Sequence, residues 1–374
     1  MENNVLIFVN TALVIGCAVM AIVFLVLPIP SKKGLNKYRI SLRILAGAYL
    51  TLAILNGLLM VLNVETVNLI SMPVLTISSL QATLFASSLI TLLNPSHITR
   101  SYLYLQLIPV LILTCIYALV AYKYGDPNIN NFEKLIQFAS NPALIIRETL
   151  LLFYIFQLIY LTRSFRRQVR KYEKQIDNYF ADSYQLQLPW IKYFFYLALS
   201  IGICAIISCF VFSIYMVLGF TIICTFFYIF FGIYYIQYPN TYVFIEPLIY
   251  SYTEQIEEIT KIPKRIDWSE MKQQIITNNY YLKPGVNIEE MASYLKIGRT
   301  TLSLLINTKE DMNFNTWINS LRVEKAKSLL IAYPEYNLTQ IAEQIGYSES
   351  SNFSRQFKLI TTESPSTWRQ TRLS

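Results

Sequence analysis

The chain has 374 residues, a length that ordinarily corresponds to two or three soluble domains. Its composition excludes that organisation, because 54 % of the residues are hydrophobic and only 14 % are charged. The apolar excess lies N-terminal to Tyr238, so the sequence divides into a membrane region and a more polar C-terminal region.

Seven apolar runs in the N-terminal region are each long enough to cross a membrane, since a hydrocarbon core of about 30 Å takes about 20 helical residues. The runs cover residues 5–27, 40–62, 67–93, 102–122, 143–161, 190–210 and 214–236. The first run exceeds the apolar core of a signal peptide and follows Glu2 without a basic residue, so we expect it to remain as a span. The sequence therefore predicts a seven-helix transmembrane bundle over residues 1–237.

Basic residues are concentrated in alternate loops of this bundle. The loops after the first, third and fifth runs contain Lys32, Lys33, Lys37 and Arg39, then Arg100, then Arg163, Arg166, Arg167, Arg170, Lys171 and Lys174. Loops rich in lysine and arginine remain in the cytoplasm. The sequence therefore predicts a multi-pass protein of the cytoplasmic (inner) membrane, with its amino terminus outside and its carboxyl terminus in the cytoplasm.

Two ionisable residues, Arg147 and Glu148, lie about one turn inside the outer end of the fifth run. Either the pair reaches the interface by snorkelling, or it faces inward and contacts a polar signal, which makes it a candidate signal site. The uncharged polar residues Asn56, Gln81 and Gln157 lie in mid-span, where we expect hydrogen bonds between helices.

Cysteine and histidine are placed unfavourably for catalysis or metal binding. All five cysteines lie within predicted spans without CxxC spacing, and we interpret them as small apolar packing residues. His97 is the only histidine, which excludes a Ser-His-Asp triad and a multi-histidine metal site. The sequence also contains no glycine-rich phosphate-binding loop. We therefore expect no metal, no cofactor and no enzymatic activity.

Residues 238–263 have a mixed polar and aromatic composition. They contain three prolines and an acidic patch, namely Pro239, Pro247, Pro263, Glu254, Glu257 and Glu258. We interpret this segment as a juxtamembrane connector, either a flexible tether or an ordered helix packed against the membrane surface. It is the covalent route from the spans to a soluble domain at residues 264–374.

The soluble domain contains one helical pattern twice. Apolar residues at i, i+3, i+4 and i+7 form the stripe of a short amphipathic helix at Ile288, Met291, Ala292 and Leu295, and again at Leu338, Ile341, Ala342 and Ile345. Capping pairs precede both helices, Asn287 with Glu290 and Asn337 with Gln340. A turn and a second short helix follow each, and a longer helix ended by Pro334 lies between. The prediction is an all-α fold, in which two tandem helix-turn-helix units are joined by a long helix.

The second unit also carries a family signature. It comprises Arg322, Val323, Ala326, Leu329, Leu330, Ile341, Ala342, Gly346, Tyr347, Ser348, Ser351, Phe353, Arg355, Phe357, Lys358, Ser364, Pro365 and Arg369. From about Asp267 to its end, the chain resembles AraC/XylS-family transcription regulators. It departs from them at Asp311 and Thr362, where that family usually has glycine, and at Trp368, where it usually has tyrosine.

The resemblance implies that exposed positions of the two recognition helices contact DNA bases. These positions are Arg299, Thr300, Thr301, Ser303 and Asn307 in the first helix, and Ser350, Ser351, Asn352, Ser354 and Arg355 in the second. The fork of Arg355 matches O6 and N7 of guanine, although a phosphate clamp or an internal salt bridge is the alternative. Lys358 and Arg369 are expected to contact phosphates.

Two functions fit these features. The first is a membrane-bound bacterial transcription regulator that senses a signal molecule or membrane partner through its spans and binds promoter DNA, alone or as a homodimer in the bilayer. The second is a membrane receptor or transporter-like protein whose helix-turn-helix domain serves protein interaction. Fourteen basic and eleven acidic residues from Lys264 onward give a net charge of only +3, and Leu304 replaces a polar reader, and both facts favour the second function.

Reporter fusions test the predicted orientation. A reporter fused after Leu93 or after Tyr238 is expected to lie in the cytoplasm, and one fused near Asn130 outside, because the basic loops fix which span ends stay inside. Alkaline phosphatase, active only outside, and green fluorescent protein, fluorescent only inside, give opposite signals at each position. External phosphatase activity at the carboxyl terminus would contradict the regulator interpretation, since a DNA reader must lie where the DNA is.

Overall fold

The computed structural model describes residues 2–29, 35–62, 68–129, 131–181, 188–211, 213–237 and 267–373. Over these residues the chain forms fifteen α-helices and no strand, with one isolated antiparallel bridge between Phe180 and Asn287. This confirms the prediction of an all-helical protein. The proposed connector at residues 238–263 lies outside the described residues.

The chain divides into two compact units. The first comprises Met1–Arg170 and Pro189–Phe244, and the second comprises Lys171–Leu188 and Ile245–Ser374. The helices before the connector are α1 (Glu2–Val26), α2 (Asn36–Val61), α3 (Met72–Leu93), α4 (Arg100–Tyr124), α5 (Phe132–Gln137), α6 (Pro142–Tyr179), α7 (Pro189–Ser208) and α8 (Ile214–Gln237).

In the described part of the chain, seven of these helices are long and apolar enough to cross a membrane, and α5 is the short exception. Six of the seven agree with the predicted runs to within a few residues. The last two predicted runs are separate helices, because α7 ends at Ser208 and α8 begins at Ile214. Length and composition therefore support seven spans.

Helix α6 differs from the prediction. The sequence suggested a span of residues 143–161 followed by a basic loop, but α6 has 38 residues, about 57 Å, and continues through that loop. Buried apolar residues three or four apart form a stripe along this extension, at Leu161, Phe165, Val169, Tyr172, Ile176 and Tyr179. The basic residues lie between the members of this stripe, so the segment is an amphipathic helix.

The first unit contains a closed ring of five helices. Helix α1 packs against α2 and α8, α2 against α3, α3 against α7, and α7 against α8. Polar bonds join α6 to α3, because Ser79 Oγ donates to Gln157 Oε1 at 2.5 Å and Gln157 Nε2 donates to Thr83 Oγ1 at 2.8 Å. Gln81 Nε2 donates to Ala48 O of α2 at 2.9 Å. Gln81 and Gln157 thus make the expected bonds between helices, whereas Asn56 Nδ2 donates to Leu52 O within α2 at 2.9 Å.

The helices after the connector belong to the second unit. They are α9 (Trp268–Thr277), α10 (Ile288–Tyr294), α11 (Arg299–Lys309), α12 (Phe314–Ala332), α13 (Leu338–Gln344), α14 (Ser350–Thr361) and α15 (Pro365–Leu373). Helices α10 and α11 form the first helix-turn-helix unit, and α13 and α14 form the second. The 19 residues of α12 make a connecting rod of about 28 Å.

Both predicted helix starts are capped by asparagine. Asn337 Oδ1 accepts from the Gln340 N–H and Gln340 Oε1 accepts from the Asn337 N–H, each at 2.9 Å, so this capping box is complete. Asn287 Oδ1 accepts from the Glu290 N–H at 2.9 Å. The Glu290 carboxylate accepts from Lys283 Nζ at 2.7 Å, which takes it away from a reciprocal cap.

Helix α12 contributes to two separate hydrophobic cores. Its N-terminal half, with Phe314, Trp317 and Ile318, packs with α9, α10 and α11. Its C-terminal half, with Val323 and Ala326, packs with α13, α14 and α15. Each helix-turn-helix unit therefore has its own core, and α12 joins the two.

Glu310, at the end of α11, anchors α9 to the first core. Its carboxylate accepts from Trp268 Nε1 at 2.6 Å and from Lys272 Nζ at 2.8 Å. Burial acts to raise the pKa of Glu310, but the bonds from Lys272 and Trp268 outweigh it and the pKa lies below its ordinary value. A carboxyl with a lowered folded-state pKa stabilises the fold above its unfolded pKa, and this contribution is lost on acidification.

The residues that replace family glycines have left-handed backbones. Asp311 has φ of 53° and Thr362 has φ of 68°, a region that glycine enters without strain. Gly346 lies in the turn of the second helix-turn-helix unit and has φ of +84°. A Cβ at this position would lie 2.2 Å from the carbonyl oxygen of Leu282. The loop geometry expected for the family is therefore present, with strain at two positions.

We predict that Thr362→Gly stabilises the second helix-turn-helix unit. A residue with a Cβ in the left-handed region destabilises the folded state by about 1 to 2 kcal/mol, and glycine removes this cost. Glycine also gives the unfolded chain more conformational freedom, but this lowers the free energy of unfolding by only about 0.4 to 1 kcal/mol. Hydrogen exchange of the α14 amides in the full chain measures the difference. Thr361→Gly is the matched control, because Thr361 is helical and glycine there should lower protection. Lower protection in Thr362→Gly as well would contradict backbone strain at this position.

Candidate nucleic-acid interface

The second recognition helix, α14, has one face in its core and one face outward. Phe353 and Phe357 are fully buried and pack edge-to-face, with ring centroids 5.7 Å apart. Ser351 and Lys358 are exposed, and Ser350 and Ser354 are half-buried. These four predicted contact residues therefore lie on the accessible side of the helix.

Arg355 and Asn352 are coupled on that helix. Arg355 is half-buried, and its Nη2 donates to Asn352 Oδ1 at 2.9 Å, while Asn352 itself is buried. This bond fixes the guanidinium against the helix one turn N-terminal to it. Arg355 is therefore placed by Asn352, and its role as a base reader stays a prediction.

Arg369 lies on α15, away from the recognition helix. Its Nη1 donates to Pro334 O at 3.3 Å, just beyond the end of α12. On the same helix Trp368 packs edge-to-face on Phe357, and the guanidinium of Arg372 lies 4.4 Å from the Trp368 ring. Trp368 thus fills the place of the family tyrosine within the core. The guanidinium of Arg369 has further N–H donors besides the one that binds Pro334 O, and its contact with a phosphate stays a prediction.

The first recognition helix, α11, presents fewer of its predicted readers. Asn307 is exposed, and Thr300 and Ser303 are half-buried. Arg299 and Thr301 are both only 7 % exposed. The guanidinium carbon of Arg299 lies 5.8 Å from the ring centroid of Tyr179. Tyr179, the last residue of α6, therefore covers one of the residues predicted to read DNA.

The end of α6 is part of the first core. Tyr179 and Ala181 are each 1 % exposed and pack with α9, α10, α11 and the start of α12. The Tyr179 hydroxyl donates to the Glu289 carboxylate on α10. The Ala181 N–H donates to Val286 O at 3.2 Å. A segment of α6 thus completes the packing of the first helix-turn-helix unit.

Two asparagines of α12 bind the carbonyl groups at this helix end. Asn315 Nδ2 donates to Phe180 O at 3.1 Å and to Ala181 O at 2.7 Å. Asn319 Nδ2 donates to Ala181 O at 2.8 Å. The last carbonyls of a helix lack intrahelical partners, so these amides cap α6 from a helix far along the chain.

Asn319 also contacts the second helix-turn-helix unit. Its Oδ1 accepts from the Tyr347 hydroxyl at 2.5 Å, and Tyr347 packs on Phe353 of α14 with ring centroids 5.8 Å apart. One buried amide therefore touches the end of α6 and the turn of the second helix-turn-helix unit. The sequence analysis did not single out Tyr179, Ala181, Asn315 or Asn319, although the apolar stripe on residues 161–179 was a signal for the helix that carries Tyr179.

The candidate signal residues occupy different environments. Arg147 is 1 % exposed and pairs with Asp126, which lies in the loop after α4. Its guanidinium carbon lies 5.6 Å from the Tyr117 ring, and the Tyr117 hydroxyl donates to Asp126 at 2.7 Å. Glu148 is half-buried. Arg147 therefore holds an interhelical loop, and signal binding by either residue stays a prediction.

Three of the five cysteines, Cys17, Cys209 and Cys224, are buried in the first unit, and none forms a disulfide. His97 Nε2 lies 2.9 Å from Ser164 Oγ, at the start of the α6 extension. Over the described parts of the chain, His, Cys, Asp and Glu do not gather in a group of three that could hold a metal ion.

Comparison with known proteins assigns the C-terminal domain. Residues 291–371 match a family model described as a helix-turn-helix domain, of the AraC type. The regulatory protein PocR of Salmonella typhimurium is 26 % identical over 102 residues, 27 % of this chain and 33 % of PocR. An uncharacterized HTH-type transcriptional regulator of Staphylococcus aureus (strain COL) is 30 % identical over 84 residues, 22 % of this chain and 11 % of that protein.

A solved structure is also similar. The C-terminal domain of the two-component response regulator yesN from Fusobacterium nucleatum has 27 % sequence identity and a TM-score of 0.25, covering 27 % of this chain and 96 % of that chain. The chain spans only a third or less of the two curated regulators above, so the similarity concerns the C-terminal domain alone. That domain is an AraC-type helix-turn-helix domain, similar to parts of one protein named as a regulatory protein and one named as an HTH-type transcriptional regulator.

Substitutions on α14 separate base reading from phosphate binding. We predict that Arg355→Ala costs about 1 to 3 kcal/mol of binding and relaxes preference at one base pair, whereas Lys358→Ala weakens all duplexes alike and flattens the salt dependence. Affinities for a selected duplex and for a randomised duplex, each measured over a salt series, give both quantities. Equal losses on the two duplexes for Arg355→Ala would identify Arg355 as a phosphate contact.

Proposed function

We propose that this chain is a membrane-bound bacterial transcription regulator, which senses a signal through its seven spans and binds specific promoter DNA through its C-terminal domain. The orientation implied by the basic loops puts that domain in the cytoplasm. Confinement to one bilayer also favours pairing of two copies, which would raise their joint affinity for a double site without new DNA contacts. The partners are therefore double-stranded DNA, the lipid bilayer, a second copy and a signal.

One observation carries this proposal. Helix α6 contains the fifth apolar span, and its last turn is buried in the core of the first helix-turn-helix unit. A DNA-binding domain tethered only for localisation would need no such contact. The shared helix supports a direct mechanical route from span to DNA reader, besides the covalent connector at residues 238–263.

In this proposal, docking of Tyr179 controls whether Arg299 can contact DNA. In this proposal Arg299 is withheld from DNA while the α6 end is docked, because Arg299 is buried and its guanidinium carbon lies 5.8 Å from the Tyr179 ring centroid. Undocking removes the ring and leaves Arg299 at the start of α11, where helix N-termini and arginines contact phosphates and bases. A signal shifts this equilibrium only by binding the two arrangements with different affinity. In this proposal the docked state is the one with lower DNA affinity.

Selection from random duplexes tests the function. The full chain in lipid nanodiscs is incubated with a randomised library, and bound duplexes are amplified over several rounds. A regulator enriches a common sequence of two half-sites about one helical turn apart, because α12 separates the two recognition helices by about that distance. Retention without enrichment, or no retention, would favour the protein-interaction function for this domain.

Removal of the amide that caps α6 tests the proposed output. We predict that Asn315→Ala raises the affinity of the full chain for the selected duplex about tenfold, the value of one good arginine contact. The gain should vanish in the double variant Asn315→Ala/Arg299→Ala, because it depends on the released guanidinium. Fluorescence anisotropy of a labelled duplex measures all three affinities.

Thr316→Ala is the matched control, since Thr316 is the exposed neighbour of Asn315 on α12. It should leave the affinity unchanged. A loss of affinity in Asn315→Ala would mean that docking of α6 is required for DNA binding, and a gain that persists without Arg299 would assign the effect to another residue.

A further inference from the structure

The first unit encloses a cavity of about 860 Å³. Residues from α1, α2, α3, α7 and α8, the five helices of the closed ring, line it, together with four residues of α6. On α8 the lining extends from Ile214 to Tyr228, about 21 Å along a helix. The cavity is therefore elongated, and its volume lies in the range of small-molecule sites, about 300 to 1,000 Å³.

The lining contains no charged side chain, and most of it is aliphatic or aromatic. Its polar members include Asn10 of α1, Asn56 of α2 and Asn128 of the loop after α4. In the orientation proposed above, these three amides lie toward the outer end, since Asn10 follows the start of α1 and Asn56 precedes the end of α2 by only a turn or two. A side-chain amide has one acceptor oxygen and two N–H donors, and Asn56 Nδ2 uses a donor on Leu52 O of its own helix at 2.9 Å.

The loop that carries Asn128 is fixed to the bundle at several points. Asp126 accepts from Arg147 and from the Tyr117 hydroxyl, and the Ile129 carbonyl accepts from the Leu69 N–H at 2.9 Å. Ile129 is fully buried. The buried Arg147 thus holds the loop that contributes Asn128 to the lining, which gives Arg147 a role without direct contact to a ligand.

We propose that this cavity binds a neutral amphiphile, a molecule with an extended hydrocarbon body and a small uncharged head that exchanges hydrogen bonds with Asn10, Asn56 and Asn128. A charged ligand would be desolvated among these side chains with no opposite charge to compensate, which is strongly unfavourable. An apolar molecule without a polar head would place hydrocarbon against the polar end of the lining. Shape, charge and polarity of the lining therefore agree on one chemical class.

The same cavity touches the helix that reaches the DNA-binding domain. Tyr154, Leu158, Leu161 and Thr162 of α6 belong to its lining. This step rests on the proposed function: a ligand that contacts α6 can bias the docking of its far end on Arg299. Ligand occupancy and DNA binding are then linked reciprocally, so selected duplex should change ligand affinity.

Photolabelling of the full chain tests the cavity. The protein is reconstituted in phosphatidylcholine nanodiscs with a monoacylglycerol that bears a diazirine in its acyl chain, and the cross-linked residues are mapped by mass spectrometry. We expect saturable labelling of lining residues that unlabelled monooleoylglycerol displaces and that oleate, with the same chain and a charged head, does not. Labelling spread over lipid-facing residues, or equal displacement by oleate, would overturn the proposal.

Filling the cavity provides the matched comparison. Ala198 lines the cavity, whereas its neighbour Leu197 on α7 is exposed and does not. Ala198→Phe should weaken saturable labelling about tenfold and Leu197→Phe should not change it. Asn10→Leu with Asn56→Leu should also weaken labelling, and Thr11→Val, which removes a hydroxyl bonded within α1, should not. Unchanged labelling in both cavity variants would overturn the site.

Two further measurements assign the source and separate this proposal from the function. Competition by diacylglycerol placed in the nanodisc supports the site with a bilayer lipid as its occupant, and competition only by monoacylglycerol added from solution supports it with a diffusible one. Duplex binding is measured on the same samples. Saturable labelling without duplex binding would contradict the regulator function and support the ligand site. Duplex binding without saturable labelling would contradict the ligand site and support the regulator function.

Discussion

The arrangement of the two helix-turn-helix units depends on the buried guanidinium of Arg322, at the point of α12 where one core ends and the next begins. Arg322 is fully buried, and it donates to the carbonyl oxygens of Tyr281 at 2.8 Å and Lys283 at 2.9 Å. Its guanidinium carbon lies 5.1 Å from the ring of Tyr347. Tyr281 and Lys283 belong to the turn after α9, and Tyr347 belongs to the turn of the second helix-turn-helix unit. A buried charge without such partners is strongly destabilising, so both turns are held where Arg322 requires them.

The close approach at Gly346 follows from this contact, because the turn of the second unit lies against the carbonyl of Leu282 and leaves no room for a side chain. Tyr347 then reaches Asn319, whose amide also binds the end of α6. The contacts that hold the two turns and the contact with the end of α6 thus come from Arg322 and Asn319, which lie one helical turn apart on α12. The end of α6 therefore packs directly in the first helix-turn-helix unit, and it is linked to Tyr347 of the second through Asn319.

Much of this fold was predictable because its determinants are local. Apolar runs of about 20 residues, stripes at three and four residue spacing, and an asparagine three positions before glutamine each specify an element from neighbouring residues. The paired helix-turn-helix pattern was recognisable on the same basis. The family resemblance then supplied candidate readers such as Arg355 and Lys358, which lie half-buried and exposed on α14.

What sequence reasoning missed depends on contacts between distant segments. The basic residues of 163–174 were interpreted as a loop because loop charge sets membrane orientation, although the same stretch carries a helical stripe. Burial of Arg299 could not be anticipated, since it requires Tyr179 to arrive from another part of the chain. The role of Arg147 likewise depends on Asp126 in a loop. For Arg299 and Arg147 the local pattern gave the element, and a distant partner determines the surroundings of the side chain.

The asparagine caps on α6 have a consequence for biosynthesis. Asn315 binds a carbonyl that precedes it by 134 residues, whereas the buried residues of the second core all lie between Val323 and Trp368. During translation the α6 end therefore emerges from the ribosome long before α10, α11 and α12 exist to cover it. Contacts of large sequence separation form late in folding. Tyr179 and its neighbours therefore lack their packing partners while α7 and α8 are synthesised, so an apolar segment stays uncovered on the growing chain.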